Sequence, residues 1–389
     1  MDSRSKEIIA VNIRMFEEKP SGIQNFIQGL FSKLLEDQRK YQFIFFTTGH
    51  KKIENTAQHI KCKSKLMEWL EKIDHRLANI FFDNIYVLKL IRQYKINLFV
   101  APSFILPIFK PKGVYFITVI HDLSFLKYKH NPLRIYMNLV MYMKTVMPFI
   151  LRRADVVVVP SCFVKNELER VYHVNPQKVK VIYEGRDEFF YPQKIREKFA
   201  KIQKEYGIGE KYLFTTATNQ ERKNVPGLIR AFKEIKQFSD YQLIISGLLP
   251  KQSIIELKQF ISGLKLMGKI KFLGFVSKEE LRTLYSFAKL FVYPSFEEGF
   301  GLPILESSLC GCLPVCSDAG ALPEVIGNKD LLFNPKDQKN MTDKLDEVLS
   351  LDQKAFDQCL SVVRKHINNF SWQKTAKEYT QLFDELLCK

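Results

Sequence analysis

The residues best suited to chemistry lie in the run Tyr293-Pro294-Ser295-Phe296-Glu297-Glu298-Gly299-Phe300-Gly301-Leu302-Pro303-Ile304-Leu305-Glu306. A β-rich stretch ends at Tyr293, a loop with two glycines follows, and Pro303 suits a first helical turn, where its missing N–H costs nothing. Glycines let a backbone come close to a ligand. A helix N-terminus offers N–H groups to anions and hydroxyl oxygens. Glu298 falls in the loop and Glu306 on the helix. Two carboxylates so spaced can accept hydrogen bonds from the hydroxyls of one ligand. A plain strand–turn–helix with surface glutamates is the alternative reading.

Two further places offer charge. Asn219-Gln220-Glu221-Arg222-Lys223-Asn224 follows an apolar run, and an Arg–Lys pair at a strand's carboxyl end can clamp a diphosphate and neutralise a leaving group. Taken alone, it also reads as a basic surface turn. His121, in Ile117-Thr118-Val119-Ile120-His121-Asp122-Leu123, ends a buried run. Its imidazole can bond a substrate hydroxyl or be a satisfied core group. Gly22, in Lys19-Pro20-Ser21-Gly22-Ile23, precedes a long helix and permits close approach to a phosphate.

The elements that position these residues alternate in type. Strands are expected at 7–13, 41–47, 97–101, 113–120, 154–159 and 178–183, and again at 211–216, 241–246, 270–273, 290–293 and 313–316. Helices are expected at 22–35, 225–237, 277–287, 303–310 and 370–387. Runs apolar on both faces suit parallel strands covered by helices, and strand–helix alternation predicts βαβ units. The stretch rich in Lys and Glu, 184–210, is expected to be a linker. Two doubly wound units in tandem would bind ligands at the carboxyl ends of their strands, facing a central cleft. Residues 132–153 carry a wide apolar face ending in Arg152-Arg153, which suits domain packing or a membrane interface.

Glu298-Gly-Phe-Gly-Leu-Pro-Ile-Leu-Glu306 resembles the E-x7-E signature of retaining glycosyltransferases with the GT-B fold. It is most similar to glycosyltransferase family 4, which includes bacterial mannosyltransferases of cell-surface polysaccharides. The resemblance runs through nearly the whole chain. It includes Arg153-Ala-Asp-Val through Pro160-Ser161 and Leu322-Pro-Glu324-Val-Ile-Gly-Asn328. Arg222-Lys223-Asn224 resembles the family's R-K-N segment, although Ala217 stands where the family usually has Gly. Pro20-Ser-Gly22-Ile resembles its S-G-I loop, with Phe26 in the aromatic place.

What the resemblance implies is a GT-B protein: residues 1–190 an acceptor-binding Rossmann-like domain, 191–369 a nucleotide-sugar domain, and 370–389 a helix crossing back. Glu298 would contact the donor sugar and Glu306 the nucleotide ribose. Arg222 and Lys223 would bind the diphosphate, and Gly22, Gly299, Phe300, Gly301 and Leu302 would line the donor. His121 would approach the sugar, and Asp122 would orient it or meet the acceptor. Glu324 would have a structural role. The expected reaction retains the anomeric configuration, with GDP-mannose the first choice of donor and UDP-sugars next. No metal and no cofactor beyond the nucleotide-sugar substrate are expected. The acceptor would be a glycan or lipid-linked, in the synthesis of a polysaccharide such as lipopolysaccharide. A nucleotide-sugar 2-epimerase and an inactive scaffold of the same fold are the rival readings.

Composition bounds the rest. The chain has 389 residues, ample for two domains. Net charge is +17, and the excess lies mainly in the first half, with 30 basic against 18 acidic residues up to residue 190. A basic face can meet phosphate-rich substrates or an anionic bilayer. No aromatic-interleaved basic motif supports nucleic-acid binding. The seven cysteines show no zinc spacing and are expected to be thiols in a reducing cytoplasm. With no leader or membrane span read from the sequence, a cytoplasmic place is expected, peripheral on the inner membrane face where the basic domain binds lipid.

Overall fold

The computed structural model describes residues 6–14, 22–36, 40–47, 53, 57–62, 82–128, 144–218 and 221–388. Lys19, Pro20 and Ser21, Asn219 and Gln220, and 132–143 of the apolar stretch lie outside the described residues. The chain divides into two compact units. One takes in 1–123, 140–185 and 370–389, and the other 124–139 and 186–369.

In the first unit the strands are β1 (Glu7–Asn12), β2 (Tyr41–Thr47), β3 (Gln58–Lys61), β4 (Leu98–Ala101), β5 (Tyr115–Val119), β6 (Val156–Val159) and β7 (Val179–Val181). They form one sheet in the order β3-β2-β1-β4-β5-β6-β7, and every pair is parallel. Order reverses between β1 and β4. A crevice beyond the strand ends opens at such a switch point. Phe116 and Ile117, like Val157 and Val158, are successive residues that point to opposite faces, and all four are buried because parallel strands are covered on both faces. Helix Gly22–Leu34 lays Phe26, Ile27, Leu30, Phe31 and Leu34 on the sheet. This apolar spacing recurs at three and four residues, as a core-facing helix requires. The chain's last helix, Trp372–Leu387, packs on it through Trp372, Tyr379 and Phe383. Residues 144–153, the described part of the apolar stretch, are helical.

The second unit has β8 (Tyr212–Thr216), β9 (Gln242–Ser246), β10 (Ile270–Gly274), β11 (Leu290–Tyr293), β12 (Leu313–Ser317) and β13 (Leu332–Phe333). Their order is β10-β9-β8-β11-β12-β13, again all parallel, with the switch between β8 and β11. Each unit is thus a doubly wound Rossmann-like layer of parallel sheet and helices, as expected. Against expectation, 184–210 is not simply a linker. Arg196–Tyr206 folds as a helix that buries Phe199 and Ile202 and ends on Gly207 in the left-handed region at φ +65°. Its apolar stripe is two residues wide, so charge dominates the local composition. Among the described residues no helix is long and apolar enough to cross a membrane.

Candidate active site

The switch point of the second unit gathers that unit's chemistry-bearing residues. β8 ends at Thr216, and the loop after it carries Arg222 and Lys223 in a single 3-10 turn. The next residue, Asn224, takes a left-handed φ of +49°, which asparagine tolerates better than most. Its amide donates to the Pro335 carbonyl at 3.1 Å, and helix Val225–Glu234 then begins. β11 ends at Tyr293, and the glycine loop follows. Because β8 and β11 are neighbours, the two loops meet.

They meet through charge. Arg222 Nη1 donates to Glu298 Oε2 at 2.5 Å and to the Glu297 carbonyl at 2.9 Å. Lys223 Nζ donates to Glu298 Oε1 at 2.7 Å and to Tyr293 Oη at 2.8 Å. Phe296 N–H donates back to the Arg222 carbonyl at 2.7 Å. Glu298 is buried, which works against its ionisation, yet the charges of Arg222 and Lys223 win and hold the carboxyl down at about 2. It is a carboxylate at any working pH.

Gly301, at φ +115°, precedes helix Leu302–Leu309 and has no side chain to cap it. A Cβ there would come within 2.8 Å of Leu322 Cδ2. Phe300 is buried beside it. Glu306 sits buried on that helix, and Tyr285 Oη donates to it at 3.4 Å. Burial, with Asp187 adding repulsion, pushes Glu306 up to about 7. The two glutamates of the motif are therefore unlike: Glu298 is neutralised by two cations, and Glu306 straddles neutrality. Sequence reasoning missed Tyr293 and Tyr285 as their partners; the one visible signal was Tyr293's place directly before the loop.

His121 lies in the first unit. Its Nε2 donates to the Pro102 carbonyl at 2.8 Å, and its Nδ1 faces Glu184 Oε1 at 3.2 Å. Pro102 follows β4, His121 follows β5, and Glu184 comes after β7, so the sheet's carboxyl edge assembles the three. Burial opposes protonation of His121, but the bond to Glu184 and its charge outweigh that and raise its pKa. Acceptors at both nitrogens suit the imidazolium. Glu184, which sequence reasoning passed over, thus orients the ring. The Phe26 ring packs edge-on against it at 4.9 Å. Gly22 opens helix Gly22–Leu34 and is exposed, with nothing within 4 Å of where a Cβ would stand. Asp122 adds its charge to the surroundings of His121.

Residues 20–188 match the family model described as Glycosyltransferase Family 4, and residues 196–359 that described as Glycosyl transferases group 1. The chain is similar to O-antigen chain mannosyltransferase B of Escherichia coli, 32% identical over 250 residues, 64% of each chain. It is also similar to O-antigen chain mannosyltransferase RfbU of Salmonella typhimurium, 31% identical over 199 residues, 51% of this chain and 52% of that one. The matches therefore span less than two thirds of either relative's length. Among solved structures, Anabaena Alr3699/HepE in complex with UDP and glucose superposes with a TM-score of 0.73 at 16% identity, over 97% of this chain and 100% of that one. With the two family models taking in most of its length in the order its two parallel-sheet units stand, the chain belongs to the GT-B glycosyltransferases, carrying a family 4 domain followed by a group 1 domain.

Proposed function

We propose that this protein is a retaining sugar transferase that uses a nucleoside diphosphate sugar, GDP-mannose first and UDP-sugars second. One observation carries the reading: the buried Arg222–Glu298–Lys223 cluster at the switch point of the second unit. Two cations fixed at strand ends, beside an uncapped helix N-terminus, suit a diphosphate. The names of the relatives, both O-antigen chain mannosyltransferases, support mannose as the sugar and a glycan or lipid-linked acceptor of a cell-surface polysaccharide. The basic excess of the first half suits an anionic membrane face in the cytoplasm.

In this reading Arg222 and Lys223 take the charge that develops as the bond from the anomeric carbon to the phosphate oxygen breaks. That charge neutralisation is assigned to the two side chains rather than to a metal. Glu298 accepts from sugar hydroxyls, and Glu306 accepts from the ribose. The acceptor oxygen bonds to the anomeric carbon on the face the diphosphate leaves, and its proton passes to a phosphate oxygen. Glu298 is bound on both oxygens by cations, so it is a poor nucleophile, which favours this route over a covalent intermediate. His121 must release the Pro102 carbonyl or Glu184 to reach a sugar hydroxyl.

The test is nucleoside diphosphate release from GDP-, UDP-, dTDP- and ADP-sugars, with and without a total lipid extract. Release from one donor that is lost in Glu298→Gln and Lys223→Ala supports the reading. Silence with every donor, together with no thermal stabilisation by any of them, overturns it.

A further inference from the structure

Glu297 adjoins Glu298 in the chain, yet its carboxylate turns to a different cation. Lys127 Nζ donates to Glu297 Oε2 at 2.7 Å, the Glu297 side chain being 5% exposed and that of Lys127 35%. Beside this pair the Tyr128 ring lies parallel to Phe296, with centroids 6.2 Å apart and 6° between planes. Both contacts fall within the second unit, to which 124–128 belongs.

Phe296 and Glu297 are also the residues whose backbone holds Arg222. The Phe296 N–H binds the Arg222 carbonyl, and the Glu297 carbonyl accepts from Arg222 Nη1. What fixes Phe296 and Glu297 therefore fixes Arg222. Charge leads to the same place. Glu297 and Glu298 bring two carboxylates to a loop meant for an anion, and Arg222 and Lys223 both pair with Glu298. Lys127 supplies the third cation. Without it a buried carboxylate loses this ion pair one residue from Glu298, and a low-dielectric site feels that change strongly.

We propose that Lys127 and Tyr128 are positioning residues that clasp the glycine loop, Lys127 offsetting Glu297 so that a nucleoside diphosphate can bind beside two glutamates. The proposal rests on the donor reading of the Arg222–Lys223 site.

The experiment is calorimetric titration of GDP and of UDP into the full chain and its variants, with melting temperatures alongside. Lys127→Met should weaken the nucleotide that wild type binds by about tenfold, a coupling of ordinary size. Lys127→Arg should stay within about threefold of wild type, since it keeps the charge. The double variant Lys127→Met/Glu297→Gln should recover most of the loss, because it removes the carboxylate whose ion pair with Lys127 is gone. Glu297→Gln alone should bind at least as tightly as wild type, and it serves if Lys127→Met does not fold. Unchanged affinity in Lys127→Met, even with a lower melting temperature, would overturn the proposal. So would a double variant as weak as the single, or weaker binding by Glu297→Gln. Wild type that binds neither nucleotide would overturn the donor reading and this proposal together; binding by wild type separates the two.

Discussion

Arg222 Nη1 lies 2.5 Å from Glu298 Oε2, so the loop after β8 and the loop after β11 are joined by a buried ion pair. Removing one partner of such a pair costs about 3 kcal/mol or more, because the other is left buried and charged. Glu298→Gln leaves both Arg222 and Lys223 without their carboxylate. It should lower kcat for nucleoside diphosphate release by about a hundredfold, the scale of losing one preorganised electrostatic contact. Its melting temperature should fall as well. Unaltered turnover in a folded Glu298→Gln variant would remove Glu298 from the site.

Glu306 gives a dependence of stability on pH. Its folded pKa, about 7, lies above the ordinary carboxyl value of 4.5. The folded state therefore binds the proton more tightly than the unfolded one, and Glu306 favours folding at low pH. That contribution is lost as pH rises from 4.5 through 7, by about 3 kcal/mol in all. Denaturant unfolding at a series of pH values should show a falling component in wild type that is missing in Glu306→Gln. If Glu306 accepts from the ribose as a carboxylate, nucleotide affinity should instead rise across pH 7.

The His121–Glu184 pair works in the opposite direction to an unpaired buried histidine. Glu184 raises the imidazole's pKa above 6.5, so the stability it contributes is full below that pH and disappears as pH rises through the folded value. In Glu184→Gln the charge is gone and burial dominates, so the pKa of His121 should fall below 6.5. Titration of the His121 Cε1 proton by NMR reads this directly. The same midpoint in both proteins would show that Glu184 does not set the charge of His121.

Much of this was legible in the sequence. β8 and β11 each read as continuous apolar runs, and the charged loops follow them directly, so parallel pairing alone is enough to bring Arg222 near Glu298. The helix Arg196–Tyr206 was hidden because only Phe199 and Ile202 interrupt its polar surface. β3 and β13 are short edge strands of four and two residues, and β3 shows no clear apolar run. Glu184 lies 63 residues from His121, and Lys127 170 residues from Glu297. No local pattern encodes such partners; the sheet order supplies the first pair, and the packing of 124–128 on the second unit supplies the other.

Gly320 supports Glu298 from the opposite loop. At φ +62° it occupies the left-handed region, and a Cβ there would stand 2.6 Å from Glu298 N and 2.7 Å from Glu298 O. The next residue, Ala321, donates its N–H to that same carbonyl at 3.0 Å. The obstacle is backbone, which cannot rotate aside. Gly320→Ala must therefore shift the loop that carries Glu298, at a cost of about 2–3 kcal/mol from strain and overlap. Donor affinity should fall with it, by about tenfold or more, since the Arg222–Glu298–Lys223 geometry moves. Gly263→Ala is the control in the same unit: it closes helix Lys251–Gly263, with nothing within 4 Å of its new methyl. Such a change is neutral or stabilises by about 0.5 kcal/mol. Equal melting temperatures and equal nucleotide affinities in the two variants would show that the close approach of Gly320 does not hold Glu298 in place.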